Sequence, residues 1–204
     1  MRHRSPRAGG GARPGGPMPE LDLTLLLAIA AGIALAAAAG LRAFLPLFAI
    51  GLAARLDLLR LSRGAEWLEG DLALWALGVA SALEIAGDKI PVVDHALDAI
   101  GTVVRPAAAW LGAYAVLYQL PTPWGQILAV VLGAGALAVQ AAKSQVRLGS
   151  SASTLGVANP ALSVLEDGFA FALVGAAILV PLLALAALVL LLVLAFRGAG
   201  RARA

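Results

Sequence analysis

Apolar residues in this chain fall in long unbroken runs rather than in stripes. Leu23–Leu41 holds 19 residues without a charge, which as a helix is long enough to cross roughly 30 Å of hydrocarbon. Arg42 follows, then a shorter run, Ala43–Ala54, interrupted by Pro46. That run is too short to span alone and predicts a half-helix, a re-entrant segment or a span completed by Arg55–Leu61. Arg55 to Asp71 reads as a mixed-charge loop containing Trp67. Leu72–Ala86 is apolar except for Ser81 and Glu84, and Gly87–Arg105 is the densest polar stretch. Pro106–Tyr118 is apolar again, with Trp110, Tyr114 and Tyr118 as candidate interface anchors.

Pro121–Gly125 has the composition of a turn. Ile127–Ala142 is a Gly/Ala-rich span in which Gly133, Gly135 and Ala136 permit close helix approach. Lys143–Thr154 reads as a basic, Ser-rich loop. Asn159-Pro160 predicts a helix start, with Asn at the N-cap and Pro at the first helical position. The last apolar stretch, Gly168–Phe196, is expected to kink or divide at Pro181.

These elements predict an all-α protein, a polytopic transmembrane helical bundle with short broken or re-entrant segments. Four full spans are expected, or six if Ala43–Leu61 and Pro106–Leu120 both cross. A weak internal repeat accompanies them: Gly32 precedes Arg42, and Gly133 precedes Lys143, each by ten residues of Ala-rich sequence. Transporter folds often contain such repeats. The domain plan is a disordered basic tail over 1–19, one transmembrane domain over 20–197 and a basic tail over 198–204. The first tail is Arg, Gly and Pro with almost nothing apolar to offset the entropy of ordering. A basic tail before an apolar run also has the look of a signal peptide. The run is longer than a usual signal core and more spans follow it, so an uncleaved first span is expected.

Composition agrees. Of 204 residues, 61% are hydrophobic and 13% charged, more apolar and less charged than a soluble domain. With no Cys and two His, disulfide scaffolds, thiolate metal sites and Cys nucleophiles are excluded. No cofactor is called for. The first tail carries +4 (Arg2, Arg4, Arg7, Arg13) and the last +3 (Arg197, Arg201, Arg203) against a total of +3, leaving −4 between them. Basic tails flanking apolar spans predict that both termini are cytoplasmic, at a bacterial inner (plasma) membrane. No aromatic residues interleave with those Arg, so nucleic acid is not an expected partner. The expected partners are the lipid bilayer, a small ion or solute, and a second copy of the chain.

Candidate chemistry gathers in Glu84–Asp98, which holds Glu84, Asp88, Lys89, Asp94, His95 and Asp98. On a helix Asp94 and Asp98 share a face about 6 Å apart along the axis, and Arg105 falls two turns further along it. Glu84 and Asp88 make a second such pair, with Gly87 and Pro91 breaking the helix between the pairs. Charges beside spans are costly and seek partners. The acids Glu84, Asp88, Asp94, Asp98, Glu166 and Asp167 number six, and the cations Arg42, Lys89, Arg105, Lys143 and Arg147 number five. Near-balance predicts a mutually paired interior network, with one carboxylate left to bind a cation or carry a proton and His95 as a relay. Asp94 and Asp98 are the expected functional pair. Lys143 and Arg147 beside Ser150–Thr154 could hold an anion. The opposing reading is structural: ion pairs lock short helices together, or the charges sit solvated at the interface.

Gly40-Leu41-Arg42-Ala43-Phe44-Leu45-Pro46-Leu47, the Asp88-Lys89-Ile90-Pro91 core with Asp94 and Asp98, Arg105-Pro106, Lys143 to Arg147, and Asn159-Pro160 leading to Ser163-Val164-Leu165-Glu166-Asp167 together resemble the family catalogued as domain of unknown function 4126. The likeness covers about residues 25–195. It implies a small multi-span membrane protein and supplies no activity. The chain departs from the pattern at Gln140, where the resemblance implies a His, so a metal or proton relay through that span lacks its ligand. Three functions compete. A small transporter or channel would use the charged block as its intramembrane site. A non-catalytic membrane assembly or scaffold subunit would use it for packing. A metal-dependent enzyme acting on lipid phosphates would hold a divalent ion between carboxylates, but the alcohol phosphotransferase pattern is not met.

Overall fold

The computed structural model describes residues 23–154 and 157–181, with 183, 189 and 190. The side chains at 91, 92, 94–96 and 98 lie outside the described residues, as do both tails. Among the described residues there are six α-helices, one 3₁₀ helix and no strand. The α-helices are α1 (Leu23–Leu41), α2 (Phe44–Arg55), α3 (Asp71–Gly87), α4 (Pro91–Val116), α5 (Trp124–Thr154) and α6 (Asn159–Leu179). The 3₁₀ helix, Arg63–Glu69, precedes α3 at an angle of 71°.

By length and composition four helical stretches can cross a membrane: α1, the part of α4 from Ala99 to Val116, α5 and α6. A fifth is reached if the bent pair counts as one span. Large apolar side chains face outward, Leu72 at 84% exposure and Trp75 at 76%, a surface that suits acyl chains rather than water.

α1 is the central helix, buried along most of its length by α4, α5 and α6. Its core contacts are Ala and Gly because, in lipid, helices associate through close packing of small residues rather than by expelling water. A Cβ on Gly40 would lie 2.7 Å from Cβ of Val139 and 2.8 Å from the carbonyl oxygen of Ala136. Gly32 faces Leu117 and Leu132, so α1 and α5 run parallel. Gly133 of α5 presses on the carbonyl oxygen of Pro106 in α4, and these two helices run antiparallel through the turn at 117–123.

α2 and α3 form a short hairpin that leaves the Arg42 end of α1 and returns to it, with Phe44 beside Glu84 and Phe48 beside Gly78. Ser62 fastens the far end, its N–H donating to the carbonyl of Ala115 at 2.8 Å and its hydroxyl to that of Tyr114 at 2.6 Å. At that far end a cavity of about 200 Å³ is lined by Thr24 and Leu27 of α1, Tyr118 beyond α4, and Ala177, Ile178 and Pro181 at the end of α6. The start of α1 and the end of α6 therefore share one end of the molecule.

Three expectations need correction. Lys143–Thr154 is helix, not loop: Gly133, Ala136, Gln140, Lys143 and Arg147 are all buried on α5, a stripe of helical period that carries the helix onward. The hydroxyls of Ser153 and Thr154 donate to the carbonyls of Gly149 and Ser150, four residues back, at 2.9 and 2.8 Å, a bond these residues make readily inside helices. The part of the polar stretch from Pro91 onward and the apolar run from Pro106 are one helix, with Pro106 inside it. The residue before α6 is Ala158 rather than Asn159; the Asn159 amide donates instead to the hydroxyl of Ser151 at 2.9 Å. The break at 88–90, between Gly87 and Pro91, falls where expected, and α6 stops at Leu179 ahead of Pro181.

The close approach at Gly40 sets a test of the packing. Gly40→Val should lower stability by about 1–3 kcal/mol, as overpacking does. Gly135→Ala, at a position with nothing within 4 Å, should hold or raise it, since Ala is the better helix former. Thermal unfolding of the detergent-solubilised protein measures both.

Candidate functional site

Two helix breaks meet at one end of the bundle. The first is the residue pair Arg42-Ala43 between α1 and α2, and the second is Asp88-Lys89-Ile90 between α3 and α4. Each break exposes backbone groups, and hydrocarbon supplies no water to satisfy them. Glu84 closes the first: its carboxylate accepts the N–H of Ala43 at 2.9 Å and that of Phe44 at 3.2 Å. A carboxylate at a helix N-terminus also meets the positive end of the helix dipole. Glu84 thus serves as the cap of α2, a role its sequence neighbourhood gave no means of assigning.

Asp88 occupies the second break and is the centre of the site. A single oxygen, Oδ2, receives Arg42 Nη1 at 2.5 Å, Arg147 Nη2 at 3.1 Å and Lys143 Nζ at 3.2 Å. The Asp88 and Arg42 side chains are wholly buried and that of Lys143 nearly so. Arg42 comes from the end of α1, Lys143 and Arg147 from successive turns of α5.

α6 supplies the opposing acids. Ser163, Glu166 and Asp167 lie three and four residues apart, on one helix face. Glu166 takes Arg147 through two bonds, Nη2–Oε2 at 2.7 Å and Nε–Oε1 at 3.2 Å, and Lys143 at 3.3 Å. Asp167 pairs with Arg42 and with Lys89, the latter at 3.1 Å. Arg42 Nη2 also donates to Ser163 Oγ at 3.3 Å, and its Nη1 reaches the carbonyl of Glu84 at 3.4 Å. Lys89, with 41% of its side chain exposed, marks the rim.

Of the residues singled out from sequence, the structure brings together Arg42, Glu84, Asp88, Lys89, Lys143, Glu166 and Asp167. Arg105 is buried elsewhere on α4, with its guanidinium folded over Gly101. The side chains of Asp94, His95 and Asp98, the expected functional pair and relay, lie outside the described residues, although their backbone is helical in α4. Arg147, one of the five cations counted for the network, joins the site as well, and Ser163 belongs to it without having been singled out for chemistry. The signal for Arg147 is its place four residues after Lys143 on a helical stripe, hidden while that segment was read as a loop. Gln140 is buried on the same stripe, and its amide donates to the Thr102 hydroxyl at 3.3 Å.

Asp88 neutralises more cation than any other acid here, so Asp88→Asn leaves three buried cations short of an anion. The expected loss is about 3–5 kcal/mol, the cost of breaking a buried pair. Adding Lys143→Met to Asp88→Asn should recover part of it by restoring the charge balance. Unfolding midpoints of the single and double variants decide this; additive losses would contradict the shared-charge picture.

No curated protein and no solved structure matches the chain. The family described as Domain of unknown function (DUF4126) matches residues 29–201, and this membrane protein, with its buried charge cluster between two broken helices, belongs to that family.

Proposed function

We propose that the protein is a small transporter or channel of the bacterial plasma membrane whose substrate site is the Asp88 cluster. The observation that carries this reading is the meeting of two helix breaks on a buried carboxylate shared by three cations. Discontinuous helices that place charge inside a bundle are a transporter feature, and intramembrane ionisable groups mark ion and substrate paths. Asp94 and Asp98, with Arg105, belong to the proposal as further charged residues carried by α4.

The competing reading, an assembly subunit, draws on the charge balance. In the cluster, Glu84, Asp88, Glu166 and Asp167 match Arg42, Lys89, Lys143 and Arg147, and a neutral network suits a structural lock. The metal-dependent enzyme has less to support it, since the points on which Asp88 and Glu166 converge are taken by the cations Lys143 and Arg147.

Purified protein in liposomes should give an ion or solute flux that protein-free liposomes lack. Lys143→Arg, which keeps the charge, should alter that flux while the fold and insertion persist; Asp98→Asn should reduce it. Background flux from the wild type, with stability changes alone in the variants, favours the assembly subunit.

The reading also orients the chain. We propose that both termini are cytoplasmic, a reading supported by the Arg-rich tails and by the start of α1 and the end of α6 sharing one end. Reporter fusions at Met1 and at Ala204 should both report the cytoplasmic side; one reporting the opposite side would overturn the even number of crossings.

A further inference from the structure

We infer that the ligand of this cluster is a phosphate group that carries its own proton, and that Glu166 and Asp167 of α6 hold its place in the structure described. The inference rests on the site proposed above and names its ligand class. Sign is segregated by helix: Arg42 of α1 and Lys143 and Arg147 of α5 are cations, while α6 brings the acids. Without the two α6 carboxylates, the three cations and Asp88 carry a net +2. A dianion restores neutrality, and a buried site admits little else.

Two atoms make the choice of anion sharper. Asp88 Oδ1 and Arg42 Nε are buried and have no hydrogen-bond partner among the described residues. They belong to the same ion pair, whose other atoms, Oδ2 and Nη1, are 2.5 Å apart. Buried polar atoms in native folds are nearly always partnered. Asp88 Oδ1 needs a donor and Arg42 Nε an acceptor, so the group that satisfies both must offer an O–H and an anionic oxygen. Hydrogen phosphate offers both; sulfate offers only acceptors and would face Asp88 Oδ1 with a like charge. Free hydrogen phosphate meets both conditions at once; the headgroup of a lipid phosphomonoester keeps an O–H only as the monoanion, which leaves one positive charge in the cluster. A phosphodiester headgroup has no such proton.

The test uses the full-length protein in detergent, with inorganic phosphate and sulfate as probes at equal ionic strength. Thermal unfolding should shift upward with phosphate more than with sulfate, because a ligand of the folded state stabilises it. Glu166→Gln with Asp167→Asn, which removes the competing acids, should tighten phosphate binding by about tenfold or more. In that background Lys143→Met should abolish the gain, and Asp88→Asn should erase the preference for phosphate over sulfate. Lipid retention separates the sources: enrichment of phosphatidic acid over phosphatidylglycerol from mixed vesicles assigns the headgroup, and phosphate binding without enrichment assigns the free ion. Wild-type protein that responds equally to both anions, or to neither, overturns the inference even if the neutralised variant fails to fold. Flux of another solute without phosphate binding overturns it and leaves transport standing; phosphate binding without any flux does the reverse.

Discussion

The fold is organised around the burial of one carboxylate. A lone ionised Asp inside a bundle of apolar helices is untenable, and so is a lone Arg or Lys. Asp88, Arg42, Lys143 and Arg147 are all at or below 6% exposure, so each is admissible only because the others are present. That mutual requirement brings the end of α1, the second half of α5 and the turn between α3 and α4 to one point. The apolar surfaces alone could not specify this. Ala against Ala and Leu against lipid differ little in energy, and helices so composed can slide and rotate past one another. The charges supply the register that the Ala-rich helices lack.

Both chain breaks follow from the same constraint. A helix running straight from Leu23 to Arg55 would carry Arg42 past the cluster without stopping there. Ending α1 at Leu41 lets the guanidinium turn inward, while Arg42 N–H still donates to the carbonyl of Ala38 at 2.8 Å. The freed amides at the start of α2 are then met by Glu84 from the next hairpin. Asp88 lies one helical turn beyond Glu84, so a single stretch of α3 both caps α2 and neutralises Arg42. Capping and ion pairing are thus coupled.

Much of this was legible in the residues. The C-terminal limit of α1 is that of its charge-free run, and Gly87 and Pro91 bracket the second break because one is poor and the other nearly forbidden inside a helix. The charge count identified Arg42 and Lys143 as cations needing carboxylates, and both found Asp88. What failed was reading composition in place of period. Ser150 to Thr154 looks like loop, but the buried stripe through Lys143 and Arg147 keeps helical spacing. Pairing within the acidic block was only partly legible. Spacing shows which acids share a helix face, as with Asp94 and Asp98, but which acid meets cations from other helices depends on tertiary packing. Glu84 illustrates the limit: its partners are two backbone amides some forty residues away, and no local pattern announces them.

The placement of sign along the chain bears on what such a network is for. A cluster needed only to make charges tolerable could pair them within a helix, at i and i+4, where the pairs survive any movement of the helix. Here the pairs run between elements: Arg42 and Lys143 to Asp88, Arg147 to Glu166, Lys89 to Asp167. The interaction therefore exists only while the helices are docked. Drawing α6 away would leave cations on α1 and α5 and acids on α6, a separation that low dielectric makes steeply unfavourable unless water or a counter-ion enters. The energy of the docked state thus depends on what else can occupy the cluster. A bundle held by apolar contacts alone would have no such dependence, and under the transport reading proposed above this dependence is what would couple helix position to occupancy of the cluster.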